Sequence, residues 1–242
     1  MALGSVIPAL PADVQHVHPA PHALLQIWFS PGFPVGAFAY SHGLEKAVEF
    51  GWVHDRATLQ EWLADLVALG SLRNDLILLA AAWGAVTRGD DAALAEAAGL
   101  SVAFQPSAER HLETTQQGRS FLVQIESAWP CAAIQRHRSA TSGAIGYPVA
   151  AGVAAAGHGV SRAAVLSAYG LAFIGNLTAA AIRLSVVGQS DAQRIIASLL
   201  PGIELAANFA ATATLDDLGG ATFRSDVASL AHETQYTRLF RS

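Results

Sequence analysis

The sequence predicts an all-α fold, a single compact multi-helix domain. Three observations carry that reading. Apolar residues recur at helical spacing: Leu59, Trp62, Leu63, Leu66 and Val67 follow the i, i+3, i+4, i+7, i+8 pattern of a one-faced helix. No run alternates apolar and polar residues between turn dipeptides, as a half-buried strand requires. Breaks of only a few residues join the helical segments, which favours one domain over two.

Residues 1–22 contain Pro8, Pro11, Pro19 and Pro21 with three histidines. That composition buries little and fixes extended backbone, so it reads as a flexible N-terminal arm. Residues 23–230 hold the helical domain. Asp55 or Thr58 is placed to cap the Leu59–Val67 helix. Asp75 opens the next apolar helix, which runs to about Val86 and ends near Gly89; Asp90 or Asp91 caps another through Ala98. Ser107 begins a longer helix to Trp129, where Pro130 marks a restart. Pro148 suits a first helical turn, and Ser161 caps a run to about Val187. Ser190 caps a run to Leu200, and Pro201-Gly202 separates it from a last one between Ile203 and Thr214. Gly143, Gly146, Pro148 and Gly152 mark close helix approach in a core. Residues 163–182 carry no charge and are long enough to cross a membrane. The run is rich in Ala and Gly, contains Ser167, Tyr169, Asn176 and Thr178, and is flanked by Arg162 and Arg183. A buried core helix is therefore expected in place of a membrane span.

Composition narrows the function classes. The 242 residues are 52% hydrophobic and 14% charged, with a formal net charge of -5. Charge that sparse argues against extensive disorder, and a chain whose one lysine is Lys46 builds no phosphate-tracking basic stripe, which argues against nucleic acid as a partner. Lys46 stands between Glu45 and Ala47, not in the Gly-x-x-x-x-Gly-Lys-Ser/Thr string of a phosphate-binding loop. Schiff-base chemistry at Lys46 is disfavoured by the neighbouring carboxylates. A single cysteine, Cys131, allows neither an intramolecular disulfide nor a zinc site built on paired thiolates, and fits a cytoplasmic location.

The densest punctuation lies in residues 30–45, Ser-Pro-Gly-Phe-Pro-Val-Gly-Ala-Phe-Ala-Tyr-Ser-His-Gly-Leu-Glu. Two prolines remove amide donors and no strand precedes the segment, so a phosphate cradle made by its amides is disfavoured. A tight entry into a helix near Phe38 accounts for it better. On such a helix Ser41 and Glu45 stack at i, i+4, as do Glu45 and Glu49, and His42 meets Glu45 at i+3, giving a small polar patch. Ser41, His42 and Glu45 make a poor triad, because successive positions point to different faces. Glu45 and Glu49 as acid and base are weaker than an ordinary solvated face. No catalytic residue is assigned and no enzyme activity, cofactor or resident metal is expected. His16, His18 and His22 have the spacing of a nickel-ligating arm, the alternative reading; proline-rich segments also collect histidines with no such role. The remaining histidines, His232 among them, are expected to be partly buried hydrogen-bonding groups. Residues 231–242 end in Tyr236, Arg238, Leu239, Phe240 and Arg241, side chains that anchor protein interfaces; packing back on their own domain is the alternative.

Together these segments resemble the urease accessory protein UreF family over about residues 24–242. The likeness rests on residues 34–45, on Gly51-Trp52-Val53, Trp62, Arg73-Asn74-Asp75 and Gly146-Tyr147-Pro148. It continues through residues 176–183 leading into Gly188-Gln189, and the Arg238-Leu239-Phe240-Arg241-Ser242 ending. The Gly-Ala-Phe-Ala string departs from the family's more usual serine-containing form. The resemblance implies an all-helical, cytoplasmic, non-enzymatic homodimer. It implies that this protein joins a second accessory protein, UreD (also called UreH), and the GTPase UreG in a complex that delivers nickel to apo-urease. It further implies partner contacts at Tyr236, Arg238, Leu239, Phe240 and Arg241, and a structural or GTPase-facing role for Tyr40, Ser41, His42 and Glu45. On this reading the tail folds over the Tyr40 region when UreD binds, through Arg238.

Overall fold

In the computed structural model, residues 20–140 and 143–242 are described, and they form eleven α-helices with no strand among them. The helices are α1 (Pro21–Trp28), α2 (Leu44–Glu49), α3 (Arg56–Leu69), α4 (Ser71–Arg88), α5 (Asp91–Ala103), α6 (Ala108–Ala128), α7 (Ala132–Ala140), α8 (Tyr147–Gly157), α9 (Arg162–Arg183), α10 (Gln189–Ala210) and α11 (Phe223–His232). The all-α expectation holds. His16 and His18 lie outside the described residues. His22 belongs to the first turn of α1 and is exposed.

The caps follow side-chain chemistry. Asp55 accepts the Thr58 amide while the Thr58 hydroxyl reaches back to the Asp55 amide, a reciprocal box that starts α3. Asp90, Ser107 and Ser161 cap α5, α6 and α9 by accepting the Ala93, Arg110 and Ala164 amides. The five apolar residues read from α3 are all buried.

Helices α4 and α8 pack together at the centre. Every residue of α8 from Pro148 to Ala155 is buried, and a Cβ on Gly152 would stand 2.5 Å from the Leu79 carbonyl oxygen. Close approach through small residues therefore builds this contact, as the glycine pattern implies. Helix α9 lays Val165, Leu166, Phe173, Ile174 and Leu177 into the same core. Arg56–Arg88 and Arg162–Arg183 are both apolar and long enough to cross a membrane, yet 61% and 56% of their most apolar windows are packed inside the fold. Trp28 fixes α1 with edge-on contacts to Phe121, Trp129 and His158.

Several sequence boundaries shift. Helix α4 starts at Ser71, so Asp75 does not open it; Asp75 is buried and accepts a hydrogen bond from the Tyr169 hydroxyl at 2.9 Å. Arg73 and Asn74 bond the Asp217 carbonyl and the Gly219 amide, tying α4 to the loop before α11. Helix α5 extends past Ala98 to Ala103. Pro201 does not break the chain: it sits inside α10. The row Ile195, Leu199, Ile203, Ala207 keeps its spacing across the proline and stays buried. Its packing, chiefly against α9, outweighs a proline cost of about 3 kcal/mol. The helix expected from Phe38 is also replaced, by a short 3-10 turn at Ala37–Ala39 and extended backbone at Tyr40.

Candidate functional site

Residues 34–43 form a loop that turns twice through left-handed backbone before α2. Gly36 has φ 76° and Gly43 has φ 75°; His42, with a side chain, is held at φ 55°. A non-glycine residue there is strained and persists where its surroundings hold it. His42 is held by Glu113, whose Oε1 lies 2.8 Å from Nε2, and by the Phe173 ring, edge-on at 4.8 Å. Gly43 is needed twice over, since a Cβ would also stand 2.8 Å from the Ser229 amide nitrogen of α11.

Residues 233–242 lie against this loop. The Arg241 amide donates to the Ala39 carbonyl at 2.8 Å, and the Ser41 amide donates to the main-chain oxygen of Ser242 at 2.9 Å. The Ser41 hydroxyl donates to the same Ser242 oxygen and accepts the Glu45 amide. The Glu45 carboxylate accepts the Leu239 and Phe240 amides at 2.7 and 3.0 Å and faces His232 Nε2 at 3.2 Å. Helix α6 supplies the other side. Glu109 faces His232 Nδ1 and accepts from Arg238, both at 2.6 Å. Glu113 accepts from Arg110 at 2.5 Å, Ser242 Oγ at 2.7 Å and Gln117 at 3.1 Å. The Phe240 ring is buried with the Arg183 guanidinium 4.2 Å from its centre. Tyr236 is fully exposed and Leu239 is 61% exposed.

Burial alone would raise the Glu113 carboxyl, but the charges of Arg110 and His42 and the bonds from His42 and Ser242 hold it down at about 2. Burial pushes His42 downward, helped by Arg110 and opposed by Glu113. His42 faces Glu113 through Nε2, and its Nδ1 is buried without a partner. Behind these groups a cavity of about 860 Å³ opens, walled by Phe29, Phe33, Tyr169 and Phe173. Asp75 lines it, its carboxyl raised by burial to about 6.

Of the polar patch expected at Ser41, His42 and Glu45, the structure keeps the Ser41–Glu45 contact and sends the other groups to different partners. His42 turns to Glu113 and not to Glu45, because the chain is not helical before Leu44. Ser41 engages Ser242, so no Ser-His-Glu array forms, and Glu49 is an exposed partner of Lys46. Tyr40 donates to Gln116 at 2.5 Å. Arg238 reaches Glu109, not the Tyr40 region, while the Arg241 amide bonds the Ala39 carbonyl. Sequence reasoning missed Glu109, Arg110, Glu113 and Ser242. The available signal was Glu109 and Glu113 at i, i+4 behind the Ser107 cap, a pair of carboxylates on one face. Among the described residues, no group of three or more His, Cys, Asp or Glu side chains is placed to hold a metal ion.

A family model described as UreF matches residues 53–200. A urease accessory protein UreF of Methylobacterium radiotolerans is 53% identical over 218 residues, covering 90% of this chain and 95% of that protein. This chain belongs to the UreF family. Its identity to UreF of Methylorubrum populi is 52% over 218 residues, with 90% of this chain and 97% of that protein covered. To UreF of Azorhizobium caulinodans it is 52% over 223 residues, with 92% and 96% covered. The UreF-like span is thus longer than the 148 residues from 53 to 200.

Proposed function

We propose that this chain is a non-enzymatic scaffold of urease maturation in the cytoplasm. As a homodimer it joins UreD (UreH) and the GTPase UreG into the complex that passes nickel to apo-urease. Family membership supports the urease setting. The absence of a Walker-type phosphate loop from the sequence leaves GTP chemistry to a partner. The observation that carries the partner role is the two-sided C-terminal segment. Its anchoring side is Phe240 and the amides on Glu45; its outward side presents Tyr236 and Leu239, following an exposed row of Phe223, Val227 and Leu230 on α11. Exposed aromatic and aliphatic side chains on a backbone already ordered bind at low entropic cost. The Ser41 hydroxyl, His42 Nε2 and the Glu45 carboxylate are engaged internally, which supports a structural role for them beneath that surface.

The test is light scattering after size exclusion with the host's UreD, comparing the full chain, a Tyr236→Ala/Leu239→Ala double variant and a chain ending at Ala231. The truncation also removes His232 and Ser242, which sit on Glu45 and Glu113, so only the double variant separates docking from folding. The full chain forms a higher-mass complex, and the double variant weakens it by about tenfold or more. A double variant that binds normally moves the docking site to the helical body. No complex with the full chain removes the scaffold reading.

A further inference from the structure

A second concavity, of about 510 Å³, lies on the solvent side of the Tyr40 loop. Its walls come from three places: Pro34, Val35 and Phe38 of the loop, Arg119 and Ser120 of α6, and Arg241 of the tail. No Asp or Glu lines it, although the whole chain carries a net charge of -5. Neither guanidinium is paired with a carboxylate among the described residues. Arg241 is set in place at both ends. Its amide is bonded to the Ala39 carbonyl, and its guanidinium faces the Tyr40 hydroxyl, which in turn donates to Gln116 of α6.

We infer that this groove is a binding site for a phosphate-bearing small molecule, with Arg119 and Arg241 as the oxyanion-holding pair. Two arginines from separate elements line one concavity together with Ser120 and without a competing acid, which is the donor set that phosphate oxygens take. The volume falls in the range of small-molecule sites, roughly 300–1,000 Å³, and exceeds what a lone carboxylate fills. The apolar wall of Pro34, Val35 and Phe38 is suited to the organic part of such a ligand. The anion is gripped by side chains, so the two prolines that spoil an amide cradle do not matter here. Because Arg241 enters the groove only with the tail seated, occupancy and seating stabilise each other. The inference rests on the groove alone and stands or falls apart from the docking of UreD.

The experiment is calorimetric titration of the full chain at low salt with inorganic phosphate, AMP and acetate, repeated on Arg119→Gln and Arg241→Gln. Both side chains are exposed, so thermal melting of the variants is expected to match the parent and exclude misfolding. The expected result is binding of phosphate and tighter binding of AMP, each weakened about tenfold or more by either substitution. Acetate does not compete. Absence of AMP binding, binding that both variants retain, or acetate binding as tightly as phosphate would each overturn the inference; the last outcome assigns the groove to an acidic side chain of a protein.

Discussion

Replacing Glu45 by Gln changes one oxygen into an amide and keeps the shape of the side chain. In the native arrangement Oε1 takes the Leu239 amide at 2.7 Å, and Oε2 takes the Phe240 amide at 3.0 Å with His232 Nε2 at 3.2 Å. A glutamine has one acceptor oxygen, so whichever way it is turned, an NH2 group faces a donor. One amide bond is retained at neutral strength, a loss of about 1 kcal/mol from its charge-assisted value, and the other is lost outright, about 2 kcal/mol. The sum of about 3 kcal/mol corresponds to roughly a 150-fold larger open population of the tail. Native-state hydrogen exchange at Leu239 and Phe240 reads that population directly, since both amides are protected by this carboxylate. Glu49→Gln is the control. Glu49 is about half exposed and pairs with Lys46 on the surface, so its loss is worth less than about 1 kcal/mol and leaves both amides protected. If Glu45→Gln changes their exchange by less than about threefold, the carboxylate is not the latch. Phe240 burial and the bonds at Ala39 and Ser41 would then hold the segment by themselves.

Glu113 supplies an acid-sensitive contribution. Its folded value of about 2 lies below the ordinary 4.5, so the stabilisation, about 3 kcal/mol, is complete above pH 4.5 and disappears as pH falls toward 2. Urea titrations across that window are expected to show Glu113→Gln less stable at neutral pH, with a shallower acid limb; an acid limb as steep as the parent's would remove Glu113 from this role. Gly43→Ala combines the cost of left-handed backbone with a Cβ placed 2.8 Å from the Ser229 amide nitrogen, so either α2 or α11 must move. A loss of about 3 kcal/mol is expected, or about 6–12 °C in Tm for a chain of this size, checked by thermal melting. A fall of under about 2 °C would mean that the α2–α11 contact yields freely.

Helix identity was legible because it is written in short-range signals: the apolar stripe of α3, and the caps Asp55, Asp90, Ser107 and Ser161, each decided by residues within four positions. What failed was decided by tertiary packing. Pro201 reads as a break locally, yet the buried row from Ile195 to Ala207 carries α10 through it. The Phe38–Glu45 segment reads as a helix by spacing, but Gly43 and His42 adopt left-handed backbone so that α11 and Glu113 can approach. Site residues followed the same division. The loop residues and the tail were recognised as pieces from their composition and family likeness. Their joining through Glu109 and Glu113 was not, because the contacts span more than 120 positions and carboxylates on a helix ordinarily face water.

The way charge is distributed separates the anchoring of the tail from the side chains it presents outward. In a chain with 19 acidic residues, three of them, Glu45, Glu109 and Glu113, are placed beneath the tail. Burying a carboxylate is costly unless its oxygens are filled, and here they are filled by main-chain amides of Leu239 and Phe240, a hydroxyl of Ser242, and the side chains of Arg110, Arg238 and His232. Releasing the tail would therefore expose more than apolar area, since each carboxylate would need new partners at once. Anchoring through amides at 239 and 240 is largely independent of side-chain identity there. Leu239 is consequently free to point outward, as Tyr236 does, while the same stretch of backbone stays fixed. The fold thus keeps its outward side chains on a backbone set by charge rather than by their own burial. Substitutions at Tyr236 and Leu239 are expected to change stability little, so any loss of the proposed UreD docking they cause reads recognition alone, whereas substitutions at Glu45 or Glu113 lower stability as well.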